Sequence, residues 1–191
     1  MIQRFGVMVV FAICMLWAGD SAGQPRESMG RDPAGQRREP AQPRDAEARA
    51  ARDPAVRGRY LVQIMDCGGC HTPGALAGQP DSKRHLGGSD IGFAGPWGVV
   101  YPRNLTPDEE TGLGKWTSQE VIQAVRAGKG RDGRTLAPIM PWPAYAALTD
   151  RDVRAIVAYL RTIPAVKFVV PKDARPGETT TAPYLDVVKP K

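Results

Sequence analysis

The sequence predicts a small all-α domain that contains one long Gly/Pro-rich loop. Three segments place apolar residues at helical spacing between recognisable caps. Gly and Pro, 21 and 18 of 191 residues, are too frequent for a long-helix bundle or a coiled coil. Residues 72–116 are rich in both and follow neither a helical nor a strand period. A loop of that length normally counts against an assignment, unless it wraps something that replaces a core.

Arg4 precedes an apolar run from Phe5 to Ala18, followed by small and polar residues. This is the layout of a secretory signal peptide, with Ser21 and Gly23 at the −3 and −1 positions and cleavage after Gly23. The rival reading is an uncleaved membrane anchor, but the run would make only ~21 Å of helix against a hydrocarbon core of ~30 Å. Membrane contact is therefore expected only if the segment is left uncleaved. Residues 24–52 contain no Leu, Ile, Val, Phe, Trp or Tyr. Such a stretch cannot bury enough apolar area to offset the entropy of ordering it, so it reads as a disordered Pro/Arg-rich spacer.

The domain is expected over residues 53–171. Asp53-Pro54 supplies an N-cap with proline at the first helical position. Val56, Tyr60 and Ile64, with Leu61 and Met65 alongside, mark one face of a helix running to about Asp66. A second helix starts at Thr117, with Glu120 closing a capping box, and stops at Gly128. A third starts at Thr149, with Asp152 in the box position, and ends before Pro164. It carries Val153, Ile156, Val157 and Leu160 on one face. Residues 172–191 read as an extended tail. No internal repeat is present.

Composition narrows the function classes. The formal charge of +6 is spread over every segment, with no basic stripe for a phosphate backbone, so no nucleic-acid partner is expected. Three cysteines do not make a disulfide scaffold. Cys14 would leave with the signal, so both remaining cysteines lie in one pentapeptide.

That pentapeptide, Cys67-Gly68-Gly69-Cys70-His71, is the attachment pattern for c-type haem. Two thiols three positions apart can each add to a vinyl group on one edge of the porphyrin. His71 follows directly and can reach the iron from the same side. A thioredoxin-type dithiol expects a preceding strand, and zinc needs four ligands. Elimination points to Met140 as the sixth ligand. Met1, Met8 and Met15 lie in the signal, Met29 in the spacer, and Met65 too close to Cys67 to cross to the other haem face. Met140 sits in Pro138-Ile139-Met140-Pro141, whose prolines restrict the backbone, and a thioether ligand suits an electron carrier. His85 and an open sixth position stay as alternatives. Trp97, Tyr101, Trp116 and Trp142 are candidate pocket walls, Arg103 or the Trp142 indole a candidate propionate partner. A carbonyl near Pro80 or Pro96 is a candidate acceptor for the second nitrogen of His71.

From Gly58 to Val166 the chain resembles class I c-type cytochromes, and in particular the haem domains of bacterial periplasmic cytochromes that serve alcohol, gluconate and aldehyde dehydrogenases. Four blocks carry the resemblance: Gly58 to Val62 leading into Cys67–Pro73; Asn104-Leu105-Thr106-Pro107-Asp108 through Thr111-Gly112-Leu113-Gly114 to Trp116-Thr117; Pro138–Trp142 with Tyr145; and Leu148-Thr149-Asp150 through Ala158-Tyr159-Leu160-Arg161 to Pro164. The resemblance implies one covalent haem c on Cys67 and Cys70 with His71 and Met140 as axial ligands. It implies first and last helices that cross around the haem, with Tyr159 near Gly58 and Tyr60. It also implies a periplasmic electron carrier, not a catalyst, working between a dehydrogenase donor and an oxidase or another cytochrome as acceptor. A haem enzyme or small-ligand sensor with a labile sixth position is the second functional class.

Overall fold

The computed structural model describes residue 48 and residues 52–188. The expected signal peptide and nearly all of the expected spacer lie outside the described residues. Five helices follow in order: α1 (Pro54–Ile64), α2 (Cys67–His71), α3 (Ser118–Ala127), α4 (Trp142–Tyr145) and α5 (Asp150–Leu160). Two 3-10 turns, Ala75–Ala77 and Ser82–Arg84, lie in the long loop.

The caps act where the sequence puts them. The Asp53 carboxylate accepts from the N–H of Ala55, with Pro54 opening the helix. Thr117 and Glu120 close a full capping box on α3, which ends on left-handed Gly128. Thr149 accepts from the N–H of Asp152, but the Asp152 carboxylate does not return to the cap. It accepts from Arg57 Nε at 2.5 Å and so ties α5 to α1.

The first and last helices meet at Gly58. A Cβ built there would lie 1.9 Å from the Ala155 carbonyl oxygen and 2.8 Å from Tyr159 Cβ, so only glycine allows this approach. The contact turns α1 so that Gly58, Leu61 and Val62 are buried. The expected stripe of Val56, Tyr60 and Ile64 instead faces outward, at 48%, 57% and 58% exposure. Leu61 and Val62 join Val153, Ile156, Val157 and Leu160 of α5, Val121 and Ile122 of α3, and Leu86 and Leu113 of the loop in one core. Burial of each such side chain contributes roughly 1.5–3 kcal/mol.

The domain is mostly helical but not strictly all-α as expected. The Gly/Pro-rich loop contains an antiparallel hairpin, β1 (Gly92–Gly95) and β2 (Gly98–Val100), with Phe93 opposite Val100. Pro96 and Trp97 make its turn, and Phe93, Val99 and Val100 are residues that suit a pleated surface. The segment after Pro171 returns to this hairpin. Ala174 exchanges two backbone hydrogen bonds with Val99, and β3 (Tyr184–Leu185) pairs parallel with β1. Val99, Tyr101 and Ala174 form a second, smaller apolar cluster.

The stretch between the hairpin and α3 is fixed by side chains. Asn104, 1% exposed, donates to the Val166 carbonyl and to Thr111 Oγ1, and its Oδ1 accepts from the N–H and hydroxyl of Thr106. Arg161 donates to the carbonyls of Leu113 and Trp116. Loop groups that cannot pair in a helix or sheet are satisfied in this way.

Candidate functional site

The Cys67–His71 pentapeptide forms α2, the short helix that follows α1 after two linking residues. Asp66 makes the junction in the left-handed region, φ 51°, and its carboxylate accepts from the N–H of Gly69. A Cβ at position 69 would lie 2.3 Å from that carboxylate, so the second glycine of the motif makes room for the cap. Cys67 and Cys70, three positions apart on one helix face, are half-buried and free. Burial pushes the Cys67 thiol up to about 11 and raises Cys70 in the same direction.

The imidazole of His71 is oriented by a partner 32 residues away. Nδ1 donates to the carbonyl of Arg103 at 2.7 Å. Burial pushes the ring's pKa down, and the Arg103 carbonyl offsets only part of that. The ring is therefore neutral, its proton sits on Nδ1, and the Nε2 lone pair is free. The expected carbonyl near Pro80 or Pro96 is thus corrected to that of Arg103, which approaches because Asn104 and Thr106 anchor the next residues to Val166. His71's own carbonyl accepts from the N–H of Gly88, and Leu86 N–H donates to Thr72 Oγ1, so the motif is backed from both directions.

Met140 is half-buried in a tight turn in which Trp142 N–H donates to the Met140 carbonyl at 2.7 Å. The turn opens α4, whose Tyr145 hydroxyl donates to the Met65 carbonyl at 3.2 Å. Burial pushes the Tyr145 phenol up to about 12, and the nearby Cys67, Cys70 and Asp66 add to the rise. Through Tyr145, the segment carrying Met140 and the segment carrying the thiols are brought to one neighbourhood. The sequence had grouped Tyr145 with Met140 by resemblance but gave no sign of its bond to Met65. His85 is exposed, with its ring against Gly68.

The candidate propionate partners are already engaged. Trp142 lies against Gly128 and its indole N–H donates to the Leu136 carbonyl at 3.1 Å. The Arg103 guanidinium pairs with Asp173 at 2.6 Å. Of the candidate pocket walls, Trp116 packs on the main core. Tyr101 belongs to the small cluster, its hydroxyl donating to the Ala182 carbonyl and pairing with Thr180. Trp97 folds back onto Gly95 in the hairpin turn.

The donor set fits haem c: two free thiols on one helix face and a neutral imidazole with Nε2 open. It fits the rival chemistries less well. The motif follows a helix, where a thioredoxin-type dithiol would follow a strand. Among the described residues no three His, Cys, Asp or Glu side chains converge to hold a metal ion.

Residues 55–164 match the family model for cytochrome c. The cytochrome c subunit of a quinone alcohol dehydrogenase from Gluconobacter oxydans (strain 621H) is 43% identical over 103 residues, 54% of this chain and 20% of that protein. The fructose dehydrogenase cytochrome subunit of Gluconobacter japonicus is 37% identical over 145 residues, 75% of this chain and 27% of that protein. The gluconate 2-dehydrogenase cytochrome c subunit of Pantoea cypripedii is 41% identical over 103 residues, 54% of this chain and 22% of that protein. The chain thus spans only 20–27% of the length of these relatives.

Proposed function

Because this chain belongs to the cytochrome c family, we propose that it is a monohaem electron carrier that moves single electrons between a periplasmic dehydrogenase and a respiratory acceptor, free or as a subunit. Membership implies one covalently attached haem c. In this reading Cys67 and Cys70 would hold the group by two thioethers, and His71 Nε2 and the Met140 sulfur would bind its iron. The bound group supplies a one-electron couple that stays in place through both redox states.

The protein's part is to position and to insulate. Arg103 holds the His71 ring in one tautomer and one orientation, so little reorganisation accompanies each transfer. The prolines flanking Met140 and the turn that opens α4 limit the sulfur's freedom. The core formed by α1, α3 and α5 and the backed loop at Leu86 keep water from the His71 side. Membership of the cytochrome c family supports a carrier and not itself a catalyst. The observation that carries the reading is the His71–Arg103 hydrogen bond inside a Cys-Gly-Gly-Cys-His helix, since it leaves open the one nitrogen that iron needs.

Dehydrogenase partners are inferred from the relatives, each of which is a dehydrogenase cytochrome subunit. A periplasmic site of action agrees with the export signal read in residues 1–23. In Met140→Ala, the long-wavelength absorption band characteristic of thioether-to-ferric-haem ligation should vanish while covalent haem is retained. A band that persists removes Met140 from the site. Co-purification of a dehydrogenase in fixed proportion from native cells distinguishes a subunit from a free carrier.

A further inference from the structure

The C-terminal segment beyond residue 164 lies outside the family match, yet it is bonded into the surroundings of the site. Asp173 is its centre. One carboxylate oxygen, Oδ2, accepts from Arg103 Nη2 at 2.6 Å and from Arg134 Nη1 at 2.7 Å. The other, Oδ1, accepts from the backbone N–H of Tyr101 at 3.1 Å. The Asp173 side chain is only 17% exposed, and its neighbour Ala174 is held by two backbone hydrogen bonds to Val99. This carboxylate therefore sits on fixed backbone and joins three segments.

Two of those segments lead to the proposed ligands. Arg103 contributes the carbonyl that orients His71. Its side chain is tied to Asp173, and Asn104 next to it is tied to Val166, so the tail grips that carbonyl from both sides. Arg134 lies in the turn that follows α3 and closes through Gly130 N–H to the Arg134 carbonyl at 2.9 Å. The same turn leads within six residues to Met140. An isolated ion pair at the surface would add little stability. A shared, largely buried carboxylate has a different consequence, which is to fix two loops relative to one another.

We propose that Asp173 is a positioning residue that couples the two sides of the site, holding the Arg103 carbonyl against His71 and the Arg134 turn that carries the chain to Met140. The proposal rests on the haem reading above and deepens it. It assigns the tail a role as a clasp whose loosening changes the environment of both axial ligands.

The test uses the full chain with its haem. Asp173→Asn keeps an acceptor for the Tyr101 N–H and loses the charge that binds both arginines. Exchange of the His71 ring N–H with solvent, read by NMR, should accelerate about tenfold or more, and the thioether band should weaken. The midpoint potential should rise, by ~59 mV if the redox equilibrium shifts tenfold for one electron. Asp173→Glu should recover most of each change. Asp186→Asn, which neutralises an exposed acid on the same tail, controls for charge alone and should leave all three near the parent. If Asp173→Asn does not fold, Arg134→Gln serves instead and should weaken the thioether band without accelerating His71 exchange. An Asp173→Asn protein that matches the parent, or merely matches Asp186→Asn, overturns the proposal. So does an Arg134→Gln protein with an unchanged band. A parent chain without covalent haem overturns the haem reading and this one together, whereas a haem-bearing parent with unresponsive variants overturns this one alone.

Discussion

Two residues with no redox chemistry of their own decide whether the site can form. Gly58 is the first, because the Ala155 carbonyl occupies the space its Cβ would need. Gly58→Ala must push α1 off α5, which should lower stability by about 2–4 kcal/mol in denaturant unfolding. Asn104 is the second. It satisfies Thr106, Thr111 and Val166 at once while fully buried. Asn104→Ala strands the buried Thr106 N–H, whose partner is the Asn104 side chain, at about 1–3 kcal/mol, and removes one of the bonds to Thr111 and to Val166. Because Asn104 adjoins Arg103, that variant should also speed exchange of the His71 ring N–H, whereas Gly58→Ala should not. The sequence made Asn104 visible only as part of a family block. Nothing local in it announces a side chain bonded to residues 62 positions away.

The elements divide into those that caps specify and those that long-range pairing specifies. Helices α1, α3 and α5 begin where Asp53, Thr117 and Thr149 accept backbone N–H groups, and this chemistry is complete within four residues. It was therefore readable from the sequence. The buried face of α1 was not, because a close approach at Gly58 outweighs the apolar stripe of Val56, Tyr60 and Ile64. The hairpin and β3 were missed for a related reason. Glycines at both ends of β1 hide its period, and β3 exists only through pairing with a segment some ninety residues earlier. The docked tail has its own test. Burial alone would raise the pKa of Asp173, but the hydrogen bond from Arg134, the charge of Arg103 and the Tyr101 N–H hold it below the usual carboxylate range. A lowered folded value means the contribution is complete above the unfolded pKa of about 3.9 and is lost as pH falls through the lower folded value. Amide exchange in residues 171–185 should therefore accelerate below about pH 4, ahead of exchange in the α1–α5 core. If the two accelerate together, the tail is not a separate clasp.

Over residues 52–188 the chain is a helical frame built on α1, α3 and α5, with the long loop and the tail backing one short helix that presents two thiols and an oriented imidazole. The pentapeptide made the thiols and imidazole of that helix readable, since their order is set by sequence spacing alone. The Arg103 carbonyl and the Tyr145 bridge were not readable, since each depends on where distant loops come to rest. We propose that this frame holds one covalent haem through Cys67 and Cys70. It is tested by measuring haem per chain, by pyridine haemochrome and intact mass, on protein produced with haem attachment and then denatured. One haem per chain should survive denaturation, and a Cys67→Ser/Cys70→Ser variant should carry none. A chain with no haem, or with haem released on denaturation, would contradict it.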